Sequence, residues 1–353
     1  MHPGRDIITI GASAGGVEAL RRVVGQLPAD LSAAVFIVLH VWPDTRSYLA
    51  PILSRTTPLR VREPENNEAI LHGVVYVAPN DQHMMVERDR ILLVRGPREN
   101  RARPAINPLF RSAAAAYGPR VVGIVLTGML DDGTAGLWTV KHCGGIAVVQ
   151  EPSEALFPEM PPNAIDNVAV DHRVTLDEIA PLLVKLSRQP VDVPSVVDVP
   201  DSARAINKGV KMEPVGIDLE NVGTRSVFSC PECNGALWEI AEGRQPQFRC
   251  HVGHAYSPQI LATEQDLVVE QSLWSGLRAL KESAALDERL ASRSAELGLD
   301  KAATAHRENA AEKSRQVDHL LEFLRALGSG AVRDWSPMIL QAKEPRPATR
   351  SVV

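Results

Sequence analysis

Ile7-Ile-Thr-Ile-Gly-Ala-Ser-Ala-Gly-Gly16 is the stretch on which the fold turns. A β-prone run stops at Gly11, and apolar residues at helical spacing follow from Val17 through Leu20, Val23, Val24 and Leu27, ending before Pro28. A strand that runs into a helix through small residues opens a parallel βαβ unit. Ser13 stands on the turn, and Gly11-Ala-Ser-Ala-Gly15 has the G-x-S-x-G form that exposes a serine hydroxyl for nucleophilic attack. The competing reading is a phosphate-binding loop at a helix N-terminus. Its glycine spacing is absent, because the glycines fall at 11, 15 and 16 and no Gly-Lys-Ser/Thr follows. On this stretch alone both readings stand.

Working outward, Ala33 to Leu39 is a continuous apolar run of the kind found in a strand buried on both faces, and it ends in His40. Residues 59–62, Val74 to Ala78, Met84 to Val86 and Ile91 to Val94 read as short strands, antiparallel pieces inserted between the crossovers. Arg95, Arg98, Arg101 and Arg103 enclose Glu99, either as a solvated loop or as a patch that steers an acidic protein substrate. Asn107-Pro108 has the form of a cap followed by proline at the first helical position. Val121 to Thr127 is a third buried strand, delivering Gly128-Met-Leu-Asp-Asp-Gly133 to its end, where Asp131 or Asp132 either does chemistry or caps the helix near Thr134. A strand over Ile146–Gln150 and a helix through Leu186, opened by a Thr175/Glu178 capping box, complete the pattern. Residues 1–187 are therefore expected to be an α/β domain with a doubly wound, mostly parallel sheet in a Rossmann-like three-layer arrangement.

Beyond it, 188–225 is rich in proline and reads as a linker. Cys230-Pro-Glu-Cys233 is followed after sixteen residues by Cys250-His-Val-Gly-His254. That spacing predicts a zinc-ribbon-like module over 226–258, with Cys230, Cys233, Cys250 and His254 closing a tetrahedron around a structural zinc ion. His254 is preferred over His251, since adjacent residues in extended chain point apart and Gly253 lets His254 fold back. Leucines at helical spacing then predict a helical hairpin over 259–328, broken near Gly298. Its charged faces read as solvated surface or as a site for a signalling partner, and 329–353 reads as a disordered tail.

Composition narrows the class. The 353 residues are 44% hydrophobic and 23% charged with a net charge of −5, which suits a globular protein and argues against a general nucleic-acid binder. No apolar run approaches the length of a transmembrane segment, and no secretory signal is legible, so a cytoplasmic protein is expected.

A serine nucleophile needs a base, and the base needs an acid to set its tautomer; Ser13, His40 and Asp132 supply one of each at three strand ends. The order Ser…His…Asp differs from that of α/β-hydrolases. Ile10-Gly-Ala-Ser-Ala-Gly-Gly16, Val38-Leu-His-Val41, Tyr76-Val-Ala-Pro79, Leu126-Thr-Gly-Met-Leu-Asp-Asp-Gly133, Gln150-Glu-Pro152 and Met160-Pro161 together resemble the catalytic domain of the CheB chemotaxis protein-glutamate methylesterases over residues 5–187. The resemblance implies hydrolysis of glutamate methyl esters on an acidic helical chemoreceptor, with no cofactor for catalysis. It also implies glutamine deamidation for part of the family. By its pattern Ser13 is the nucleophile, His40 the base and Asp132 the orienting acid, with Ala14 and Met129 at the oxyanion site. Many relatives carry threonine where this chain has Ala14. The family's usual N-terminal receiver domain is not expected, since the catalytic strand starts near residue 6. The alternative is a catalytically idle scaffold that binds a partner through its tail.

Overall fold

β1 (Ile7–Ala12) is buried along its whole length because it lies at the centre of a sheet covered on both faces. The computed structural model describes residues 4–40, 47–211 and 218–328, so the expectation for 329–353 lies outside the described residues. After β1 come α1 (Gly16–Gly25), β2 (Ala34–Leu39), α2 (Leu49–Leu53), β3 (Arg60–Arg62) and β4 (Val74–Val77). The hairpin β5 (His83–Glu87) and β6 (Arg90–Val94) precedes α3 (Ile106–Tyr117). Then follow β7 (Val121–Val125), α4 (Thr134–His142), β8 (Ile146–Gln150), α5 (Met160–Asn167), β9 (His172–Val174) and α6 (Leu176–Arg188).

The main sheet has seven strands in the order β3-β4-β2-β1-β7-β8-β9, and every pairing in it is parallel. Alternation along its strands divides the core. Ile7, Phe36, Val38, Tyr76 and Val125 face α3, α4 and α5, whereas Ile8, Ile10, Val35, Ile37 and Ile124 face α1, α2 and α6. The doubly wound α/β expectation is met. β3 and β4, expected to be antiparallel insertions, instead extend the parallel sheet; Val74 to Val77 are all buried, as two-sided cover demands. Of the four strands so expected, β5 and β6 do form an antiparallel pair.

Among the described residues of 188–225 are two helices, α7 (Asp201–Val210) and α8 (Leu219–Val222). Ala203, Ile206 and Val210 give α7 one apolar stripe, which is buried, so this part of the expected linker is ordered and packed. A four-stranded antiparallel sheet follows: β10 (Thr224–Ser229), β11 (Ala236–Glu242), β12 (Gln245–Cys250) and β13 (Ala255–Tyr256). The chain divides into two compact units, Met1–Thr263 and Glu264–Val353, and this sheet lies in the first.

α9 (Pro258–Glu296), from Glu264 onward, and α10 (Asp300–Gly328) supply the second unit, a hairpin that turns at Gly298. Leu273, Leu277 and Leu280 meet Val317, Leu320, Leu321 and Leu324 near one end. Toward the turn the seam is alanine, with Ala284, Ala291, Ala303 and Ala310 buried, while Leu267, Leu286 and Leu290 are exposed. No described helix is long and apolar enough to cross a membrane.

Candidate active site

β1, β2 and β7 are neighbours, and Ser13, His40 and the 126–133 loop leave them at the same edge, where a doubly wound sheet opens a crevice. Hydrogen bonds carry the ladder beyond the strands, from Ser13 N to Thr127 O at 3.0 Å and from His40 N to Ala12 O at 3.2 Å. Ser13 Oγ lies 3.1 Å from His40 Nδ1, and His40 Nε2 lies 2.8 Å from Asp132 Oδ2. A carboxylate can only accept, so Nε2 carries the proton and Nδ1 offers its lone pair to the serine hydroxyl. Asp132 is held from two further sides: Ile106 N donates to Oδ2 at 2.7 Å and Asn100 Nδ2 to Oδ1 at 3.2 Å. The acid is buried, whereas the imidazole keeps 21% of its side-chain surface open.

Gly128 is required by close approach. A Cβ there would stand 2.8 Å from Ser13 Cβ and 2.0 Å from Met160 Sδ. Thr127 braces the elbow, its N–H donating to Gln150 Oε1 at 2.8 Å and its hydroxyl to Ala14 O at 3.1 Å. The amides of Ser13, Gly128 and Leu130 are all satisfied within the protein. Those of Ala14 and Met129 find no acceptor among the described residues, and Met129 is half exposed.

Neither aspartate caps α4. That task falls to Asn107, whose Oδ1 accepts from Gly133 N at 3.2 Å and Gly136 N at 2.7 Å. Asn107 is therefore not the cap of its own helix, which starts at Ile106 after Ala105. Asp131 points away from His40, accepting from Ser257 Oγ at 2.7 Å and Gln245 Nε2 at 2.9 Å. Burial, aided by the neighbouring Asp132 charge and opposed by those two bonds, pushes its carboxyl up to about 6.

Glu99 is not in a solvated loop. It is 2% exposed, and its Oε1 takes Arg111 at 2.5 Å and Arg249 at 2.7 Å. Burial alone would push its carboxyl up, but the two guanidiniums outweigh it and hold it at about 2. Of the arginines around it, Arg95 and Arg103 both pair with Asp81. The basic run is in good part internally neutralised.

Cys230, Cys233, Cys250 and His254 converge at the open end of the β11–β12 hairpin, their ligand atoms all within 4.8 Å of one another. His254 Nδ1 is 3.6 Å from both Cys230 Sγ and Cys250 Sγ, and Cys233 Sγ is 3.6 Å from Cys250 Sγ. Sulfurs and nitrogens around a tetrahedral zinc stand about 3.5–3.8 Å apart, so the set fits that ion. The two thiols act on each other: hydrogen bonds from Cys250 and His254 hold Cys230 low, while the bond to Cys230 and burial push Cys250 up. His251 is elsewhere, its ring 4.2 Å from that of Trp238. Sequence reasoning missed Asn100, Thr127 and Asn107. Asn107 was legible as a capping residue but not as the cap of another helix.

The CheB methylesterase family model matches residues 8–183. A Methanosarcina mazei protein described as protein-glutamate methylesterase/protein-glutamine glutaminase 2 is 38% identical over 192 residues, 52% of each chain. A Leptospira interrogans protein described as a putative enzyme of the same kind is 36% identical over 184 residues, 52% of this chain and 95% of that one. The match thus spans about half of the first relative and nearly all of the second. The crystal structure of the Thermotoga maritima CheB methylesterase catalytic domain is 30% identical, with a TM-score of 0.49, covering 51% of this chain and 98% of that one.

Proposed function

The chain belongs to the CheB methylesterase family, and on that premise we propose that it is a cytoplasmic serine esterase that hydrolyses glutamate methyl esters on chemoreceptors. The observation that carries the reading is the unbroken relay of Ser13 Oγ, His40 and Asp132, at 3.1 and 2.8 Å. His40 Nδ1 takes the hydroxyl proton as Oγ attacks the ester carbonyl, and Asp132 stabilises the imidazolium that forms. The free amides of Ala14 and Met129 are the donors proposed for the oxyanion. The imidazolium then protonates the methoxide, which leaves as methanol, and a water activated by His40 cleaves the seryl ester to release the glutamate carboxylate. With a glutamine substrate the same steps expel ammonia, matching the second activity in the relatives' names.

A structural zinc ion is proposed at Cys230, Cys233, Cys250 and His254; it would tie the two turns together and take no part in the ester chemistry. Release of labelled methanol from methylated receptor membranes tests the esterase reading. Wild-type protein should release it and Ser13→Ala should not; equal release from both would overturn the assignment. Metal analysis should give one zinc per chain, lost in Cys230→Ser and kept in His251→Ala.

A further inference from the structure

We propose that Asn100 is a positioning residue for Asp132 and that the C-terminal sheet, through residues 255–257, is what positions Asn100. The proposal rests on the esterase reading of Ser13, His40 and Asp132. Residues 98–100 add to the C-terminal sheet as a short parallel strand beside β13: Ala255 N donates to Arg98 O at 3.3 Å and Asn100 N donates to Ala255 O at 2.8 Å. The side chain of Asn100 then spans the gap between the sheet and the triad. Its Oδ1 accepts from Ser257 N at 3.0 Å while its Nδ2 donates to Asp132 Oδ1 at 3.2 Å. These partners allow one orientation of the amide, since a flip would set NH₂ against an N–H and oxygen against a carboxylate.

The backbone of Asn100 is left-handed, with φ 51, a conformation asparagine tolerates better than most residues. That geometry is maintained from the C-terminal side. Ser257 is anchored by its own hydroxyl to Asp131 Oδ1, the residue next to the catalytic acid. Arg249 donates to Gly253 O at 2.9 Å and to Glu99, so the turn that follows Cys250 is tied to the residue before Asn100. Gly253 has φ 106, and a Cβ on it would stand 2.9 Å from Pro97, which keeps this turn flush with the 97–100 segment. Trp238 and Ile240 of β11 share an apolar cluster with Met85 of β5 and with Ile206 and Val210 of α7, so the sheet has a buried seat in the same unit. The sheet is thereby a back wall to the acid. Its hold on Asp132 runs through one side chain.

Asn100→Gly keeps the left-handed backbone and removes only the amide. In the full-length protein it should lower kcat about ten-fold, the loss of one hydrogen bond to a charged group, with KM for methylated receptor unchanged. Asn100→Asp, equal in shape but without the donor, should not restore kcat. Ser257→Ala cuts the hydroxyl anchor and keeps the N–H; it should lower kcat a few-fold alone and have no further effect in Asn100→Gly. The strongly downfield proton resonance of an imidazole N–H bonded to a carboxylate, identified by its loss in His40→Ala, should broaden or shift in both single variants, whether or not the protein turns over ester. Wild-type kcat and an unmoved resonance in Asn100→Gly would overturn the positioning role. Fully multiplicative effects of Asn100→Gly and Ser257→Ala would overturn the link to the sheet. Failure of the esterase reading itself would appear separately, as no methanol release from wild type.

Discussion

The triad and the Cys/His cluster each bring distant residues within hydrogen-bonding distance, by opposite means. Ser13, His40 and Asp132 come from loops on three adjacent parallel strands whose flanks are buried in two large apolar layers. None of the three holds the sheet together. Cys230, Cys233, Cys250 and His254 sit on two turns of a small antiparallel sheet, and the local core has little beyond Leu237, Phe248, Tyr256, Ile260 and Leu261. There, on the proposed zinc reading, the four side chains are themselves a principal fastening of the turns. A constellation held by its scaffold can lose a member and keep its fold, whereas one that is the scaffold cannot.

The largest effects should break along that line. Ser13→Ala or His40→Ala is expected to lower esterase turnover about 10⁴-fold or more with the unfolding temperature nearly unchanged, and Asp132→Asn to be severe with residual turnover. Cys230→Ser should instead lose zinc and lower the unfolding temperature, with turnover falling by no more than the about ten-fold expected of Asn100→Gly, because among the described residues the sheet reaches Asp132 only through that side chain. Thermal unfolding followed beside methanol release separates the two. A Ser13→Ala protein that unfolded many degrees early would erase the distinction.

Next in size is the buried charge group that joins the sheet to α3. Arg111 and Arg249 both rest on Glu99 Oε1, and both guanidiniums are almost fully buried. Glu99→Gln leaves two buried cations facing a neutral amide, a change that costs about 3–5 kcal/mol. Denaturant unfolding should register that loss, and the Arg111→Met, Glu99→Leu, Arg249→Met triple variant should recover much of it. A loss below about 1 kcal/mol in Glu99→Gln would mean that the cluster is hydrated and does not fasten the sheet.

These same residues mark how far the sequence could be read. The parallel core was legible because its strands are unbroken apolar runs, and the Ser13, His40 and Asp132 set because Ser13 and His40 directly follow such runs and Asp132 lies on the loop after a third. The convergence of Cys230, Cys233, Cys250 and His254 was legible from spacing alone. Glu99 and Asn100 were not. They sit among arginines in a stretch with no periodicity, and their partners Arg249 and Ser257 lie some 150 positions away. No local pattern records a contact of that kind. β3 and β4 misled for a related reason, since a short apolar strand carries no mark of whether its partner runs parallel. α7 was hidden because prolines surround it, although its own ten residues carry a clear apolar stripe.

The smallest predicted effect concerns Asp131, which shares the triad's loop but faces the C-terminal sheet. Asp131→Asn should change turnover less than about three-fold, because its amide oxygen can still accept from Ser257. Its signature lies in stability against pH. The Asp131 carboxyl is raised from 3.8 to about 6 by burial first and by the Asp132 charge next. The folded protein therefore holds this proton more tightly than the unfolded chain does. That contribution is fully present below about pH 4 and is lost as pH rises through 6, for a total of about 3 kcal/mol. The asparagine variant has no such proton to lose. Its unfolding temperature relative to wild type should rise between pH 4 and pH 7 and level off above. A difference that stayed flat across that window would show that Asp131 is ionised throughout, and that the hydrogen bonds from Ser257 and Gln245 outweigh its burial.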